Sequence, residues 1–166
     1  MISHKGFIAT EQVGQYITNR PVNAEDILAM ANKLIRHKFA RGHAITNPQL
    51  AASYLPLRLA QLEHETFWTL FLDNQHKILA FEELFRGTIN ESSIYPREVV
   101  KRTLQLNASA VIFAHNHPSG ATVASAADID ITHRLKAALA LIDVTVLDHF
   151  IVGGDVVTSM AEHGDL

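Results

Sequence analysis

At 166 residues, 48% hydrophobic and 19% charged, the chain has the make-up of one ordinary globular domain with enough apolar mass for a core. It has no cysteine, which excludes disulfides, thiolate metal sites and cysteine nucleophiles, so any metal must be held by its 10 histidines and its carboxylates. A formal net charge of -3 gives no general attraction for polyanions, and no apolar stretch approaches the ~20 residues that span a bilayer. The N-terminal sequence lacks the apolar core of a secretory signal, so the expectation is a cytoplasmic protein with no membrane contact.

Residues 1–23 mix polar residues, glycine and proline with little periodicity and read as a loose arm or short elements. A helix is predicted from Asn23, a capping residue, to His37, with Ile27, Leu28, Met30, Ala31, Leu34 and Ile35 at helical spacing. This front end is basic: Lys5, Arg20, Lys33, Arg36, Lys38 and Arg41 outnumber Glu11, Glu25 and Asp26. The cluster Arg36, His37, Lys38 and Arg41 can touch phosphate or simply form a solvated helix face. A second helix is expected from Asn47 to about Glu63, bent or restarted at Pro56.

From Thr66 the character changes. TFWTLFLD is rich in β-formers and stops at the turn signal Asp73-Asn74-Gln75, after which KILAFEELFRG reads as the partner strand of a hairpin. Phe67, Trp68 and Phe71 are core aromatics in this reading, with no base-stacking array. A helix begins at Pro96 and runs to about Asn107. Residues 108–114, ASAVIFA, form a continuous apolar run suited to a strand buried on both faces. A long helix follows from about Ala126 to Leu141, with Ile131, Leu135, Ala138, Leu139 and Ile142 on one face, and VTVLDHFIVGG and VVTS supply the last strands. Alternating strands and helices predict an α/β domain, a mixed β-sheet flanked by helices, over residues 45–166, preceded by a partly helical extension over residues 1–44.

The segment that carries chemistry is His115-Asn-His117-Pro-Ser-Gly120, followed by Ser125-Ala-Ala-Asp128. On an extended backbone residues i and i+2 face the same side, so His115 and His117 project together from the carboxyl end of the buried strand. The helix that starts near Ser125 returns Asp128 towards them. Two histidines and a carboxylate form a three-ligand zinc site with a fourth position for water. Ser125-x-x-Asp128 is equally a helix capping box, a reading compatible with a functional one. Asn116, on the other side of the strand, is expected to tie the loop, and His149 reads as a hydrogen-bonded core histidine or as a support for a ligand.

His115-x-His117-Pro118 followed by Ser125-x-x-Asp128 resembles the signature of the JAMM (MPN-type) zinc metalloproteases. The wording His115-Asn-His-Pro-Ser-Gly120, together with Pro96-Arg-Glu-Val99, Leu104-Gln-Leu-Asn-Ala108 and Leu147-Asp-His-Phe-Ile-Val-Gly153, resembles their RadC-like branch, from about residue 45 to the C-terminus. The resemblance implies the JAMM/MPN fold, related to that of the cytidine deaminases, and one zinc ion per chain on His115, His117 and Asp128. It also implies hydrolysis of an amide or isopeptide bond in a protein or peptide substrate.

By the same resemblance Glu65 is the general base, with Glu63, Glu82 and Glu83 as competitors and an exposed helix-end carboxylate as the plain alternative. Ser125 donates to the oxyanion of the tetrahedral intermediate. Ala121 and Ala124 depart from the branch's usual acidic residue and proline, and neither is a ligand position. Longer members carry a front domain of helix-hairpin-helix character, which residues 1–45 are too few to supply. Two other functions stay open: a DNA-repair or mobile-element accessory role, which the resemblance associates with RadC-like proteins, and a metal-stabilised interaction module without turnover.

Overall fold

The computed structural model describes residues 4–45, 48–87 and 94–166. The chain divides into two compact units, Met1–Ala40 and Arg41–Leu166. No helix among the described residues is long and apolar enough to cross a membrane.

In the first unit, the segment read as an arm or short elements forms an antiparallel hairpin of β1 (Phe7–Ala9) and β2 (Tyr16–Thr18), with Phe7 opposite Thr18. Strands of 3 residues are too short to show an alternating pattern in sequence. Helix α1 (Ala24–Lys38) starts at Asn23, whose side chain accepts from the Asp26 N–H at 2.8 Å, while Asp26 accepts from the Asn23 N–H at 3.3 Å. Its last turn holds Arg36, His37 and Lys38, where cations complement the partial negative charge of the helix end. That local role accounts for three of the four basic residues noted in the sequence.

The second unit is built on a five-stranded sheet of order β4-β3-β5-β6-β7, formed by β3 (Thr66–Leu72), β4 (Ile78–Arg86), β5 (Ala110–Asn116), β6 (Thr145–Gly153) and β7 (Val156–Ser159). Among the described strands only β5 and β6 pair in parallel. Parallel neighbours require a crossover, supplied by α4 (Ala126–Ala140). Every residue of β3 and β5 is buried, as their apolar runs require. The β3–β4 hairpin turns where the Asp73 carboxylate accepts from the Gln75 and Lys77 N–H groups, both at 2.8 Å.

Phe67, Phe71, Val111 and Phe113 pack with Val99 of α3 (Pro96–Leu106) and with Leu135 and Leu139 of α4. Ala110, Ile112 and Ala114 point the other way along β5, and α2 (Pro48–Leu59) lies against β5, β6 and β7, so helices cover both faces. Helix α2 keeps Pro56 inside it and ends short of the Glu63 expected from sequence, whereas the expected start at Asn47 lies outside the described residues. The early end has a cause: Asn116 draws the Leu62 and His64 carbonyls into hydrogen bonds at 3.4 and 3.0 Å, which leads the chain into β3. A last turn, α5 (Met160–His163), follows β7.

Candidate metal centre at the end of β5

β5 ends at Asn116, one residue short of His117. The His117 N–H nevertheless donates to the Val152 carbonyl at 2.9 Å, so pairing with β6 continues and the two histidines share a side. Their Nε2 atoms are 2.9 Å apart. The chain then turns through Gly120, whose φ of +81° is left-handed, and folds back onto Gly153. A Cβ at Gly153 would sit 2.5 Å from the Gly120 carbonyl oxygen and 2.7 Å from that of Ala121, so only glycine lets the loop lie against β6. The returning Ala121 carbonyl accepts from His117 Nδ1 at 3.0 Å, which leaves Nε2 of a neutral His117 without a proton.

The same turn delivers the start of α4. Ser125 caps the helix: its Oγ accepts from the Asp128 N–H at 3.2 Å, and Asp128 Oδ2 accepts from the Ser125 N–H at 2.8 Å and hydroxyl at 2.6 Å. The box directs the Asp128 carboxylate inward, with Oδ1 3.3 Å from His115 Nε2 and Oδ2 3.5 Å from His117 Nε2. One donor atom from each of His115, His117 and Asp128 lies within 4.8 Å of the other two, an arrangement that can hold a metal ion. Metal–ligand bonds of about 2.0–2.2 Å in a tetrahedron imply donor separations of roughly 3.3 Å. The two imidazole Nε2 atoms, 2.9 Å apart, and one carboxylate oxygen near each of them, at 3.3 and 3.5 Å, are close to that value, and nitrogen and carboxylate oxygen suit a borderline-soft divalent cation.

The electrostatics follow the geometry. Burial opposes ionisation of Asp128, but hydrogen bonds to His115 and His117, the charge of His115 and the Ser125 hydroxyl together hold its carboxyl well below the usual carboxylate range. The hydrogen bond to Asp128 is the largest influence on His117 and raises its pKa above the ordinary histidine value, against the opposing effect of burial. The charge of Glu65 adds a smaller push in the same direction.

Behind the candidate ligands lies a layer the sequence only partly signalled. His149 is fully buried, and its Nε2 is 2.8 Å from His115 Nδ1. Its Nδ1 is 2.6 Å from Thr132 Oγ1, on the inward face of α4 one turn beyond Asp128. Burial first, then the neighbouring His115, lower the His149 pKa well below the ordinary value, so this ring is neutral. His149 is thus a core histidine that also contacts a candidate ligand. Thr132 was missed. The signal available was a polar residue four positions after Asp128, on the face assigned to Ile131 and Leu135.

Glu65 is half-buried and flanked by two residues that Asn116 holds. Asn116 Oδ1 accepts from the Thr66 N–H at 2.8 Å and from its hydroxyl at 2.7 Å, while Nδ2 donates to the His64 carbonyl. The residue between the two histidines therefore ties the Glu65 segment to β5. The three competing glutamates are placed differently. Glu82 is engaged by Arg102 at 2.6 and 2.8 Å, Glu83 by Arg86 at 2.7 and 3.0 Å, and Glu63 is exposed. Phe67, Trp68 and Phe71 are buried, and Phe67 stacks on His115 with the ring centroids 6.5 Å apart.

Comparison with known proteins agrees with this architecture. The family described as the RadC-like JAB domain matches residues 45–165. The chain is 55% identical to a UPF0758 protein of Methylibium petroleiphilum over 138 residues, 83% of this chain and 62% of that one. It is 53% identical to a UPF0758 protein of Leptothrix cholodnii, again covering 62% of it. A UPF0758 protein of Vibrio cholerae is 48% identical over 153 residues, 92% of this chain and 97% of the relative. The chain therefore spans about three-fifths of the first two relatives and nearly all of the third. It belongs to the RadC-like JAB-domain family.

Proposed function

Starting from that family membership, we propose that the chain is a zinc-dependent hydrolase that cleaves an amide or isopeptide bond in a protein or peptide substrate. The observation that carries the proposal is the convergence of His115 Nε2, His117 Nε2 and the Asp128 carboxylate at separations of 2.9–3.5 Å. Zinc held there would polarise a substrate carbonyl and bring the pKa of a water towards about 7.

The chain's own residues supply the rest. Glu65, on the segment tied to β5 by Asn116, takes the proton from the attacking water and returns it to the leaving amine. Ser125, whose hydroxyl donates to Asp128 at 2.6 Å, turns that proton to the developing oxyanion. The apolar wall of Phe67 beside His115 lowers the local dielectric and strengthens these interactions.

The test begins with elemental analysis of untagged protein, which should find near one zinc per chain. A panel of peptide and isopeptide substrates is then compared between wild type and Glu65→Gln. The substitution should lower turnover by about 10²-fold or more while leaving zinc content intact. Absence of bound zinc after supplementation at neutral pH would sink the hydrolase reading. Full activity in Glu65→Gln would remove Glu65 as the base. Bound zinc with no turnover on any substrate would favour the interaction module.

A further inference from the structure

We infer that Thr132 and His149 are positioning residues that fix the protonation tautomer of His115, so that its Nε2 faces the metal position as a bare acceptor. The inference rests on the metal reading of the site. Its basis is a chain of hydrogen bonds that runs from the Asp128 backbone carbonyl through Thr132 and His149 to His115 Nδ1. The Asp128 backbone carbonyl can only accept, and the Thr132 hydroxyl donates its single proton there. Thr132 Oγ1 then has only lone pairs for His149 Nδ1, 2.6 Å away, so Nδ1 carries the proton of that neutral ring.

His149 Nε2 is consequently an acceptor, and the group facing it at 2.8 Å is His115 Nδ1, which must donate. A neutral His115 protonated at Nδ1 has a free lone pair on Nε2, the atom 3.3 Å from the Asp128 carboxylate and 2.9 Å from His117 Nε2.

The opposite register is also possible for the same atoms. If the hydroxyl donated to His149 instead, each ring would carry its proton on Nε2, and His115 would present N–H where a lone pair is needed. The i−4 carbonyl selects between the two. His117 reaches the same outcome by a shorter route, because its Nδ1 faces the Ala121 carbonyl directly at 3.0 Å. The buried candidate ligand uses a relay of two side chains, because the position facing its Nδ1 is occupied by His149, enclosed by Phe67 and Phe113. Outer partners of this kind orient metal-ligating histidines generally.

Two measurements test this on the full chain. Long-range nitrogen–proton correlation spectra of the zinc-loaded wild type should show His149 protonated at Nδ1 with a bare Nε2, and His115 protonated at Nδ1. Protonation of either ring at Nε2 would overturn the inference. Zinc affinity by competition with a chelator should fall about 10- to 100-fold in Thr132→Val and recover in Thr132→Ser, which keeps the hydroxyl. A Thr132→Val protein that binds zinc like wild type would also overturn it. If Thr132→Val does not fold, the wild-type spectra and the serine variant still decide. Failure of the hydrolase reading alone would look different: wild type would bind zinc without turnover, while the tautomers and the zinc affinities remained measurable.

Discussion

Helices α1 and α4 begin with the same device. Each has a small polar residue at the cap, an aspartate three positions later, and reciprocal hydrogen bonds between them. At α1 the aspartate, Asp26, meets the Arg20 guanidinium at 2.9 Å. At α4 it is Asp128, which meets two imidazoles. The carboxyl is held below its ordinary pKa in both cases. The Arg20 hydrogen bond is the main cause at Asp26, whereas at Asp128 two histidine hydrogen bonds prevail over burial. A guanidinium brings only N–H donors to the carboxylate and no lone pair for a metal. Two imidazoles aim their Nε2 atoms at a common point, so an ordinary helix start becomes part of a candidate metal centre. The capping box carries no function by itself; the strand end facing it decides.

The comparison is broken most sharply at its two aspartates. Asp128→Ala should abolish zinc retention in elemental analysis, whereas Asp26→Ala should leave zinc unchanged and lower only the thermal midpoint. Equal zinc in both variants would show that Asp128 is a cap and nothing more. The caps themselves give the next largest contrast. Asn23→Ala and Ser125→Ala should each lower stability by about 1 kcal/mol in chemical denaturation. Ser125→Ala alone should also lose about 10²-fold in turnover with its metal intact. Loss of zinc along with that turnover would make Ser125 structural.

A third aspartate gives the smallest expected effect and supplies a control. Asp148 accepts from the His149 and Ala161 N–H groups and from the Ser159 hydroxyl, at 2.7, 3.1 and 2.7 Å, at the start of α5. Burial raises its pKa despite these donors. The sign is then fixed: a raised folded pKa favours the fold below the ordinary aspartate value of about 4, and that advantage fades as pH rises through the folded pKa. The stability of Asp148→Asn relative to wild type should therefore improve across that window and level off above it. A difference that stays flat with pH would contradict this account of Asp148.

What was legible in the sequence follows the range of the interactions. His115 and His117 were readable because strand alternation is a local rule, and Ser125 and Asp128 because a helix start is one. The apolar run before His115 marked β5 as a buried strand, and Pro96 marked the start of α3. Asn116 was expected to tie a loop, but its partners and two further features were not readable, and each is long-range. Asn116 bonds to Thr66 across 50 positions, Thr132 meets His149 across 17, and Gly153 is required by the carbonyls of a loop some thirty residues earlier. The polarity of Asn116 and Thr132 was visible, but their partners exist only once the sheet has formed. The front hairpin was obscure for the opposite reason: strands of 3 residues contain too little pattern.

The crossover from β5 through α4 to β6 contains every side chain assigned to the metal position and its relay, from His115 to His149. Parallel pairing forces a crossover helix regardless of function, so ordering this stretch is already required by the sheet. The extra chain entropy of gathering His115, His117, Asp128, Thr132 and His149 is therefore small, because closure cost grows only with the logarithm of loop length and these loops are closed by the topology. Glu65 stands outside that unit, held by a clamp that closes a far longer loop. A change at Glu65 would leave the crossover that carries the candidate metal position unaltered, and the two halves of the proposed site can vary separately within one fold.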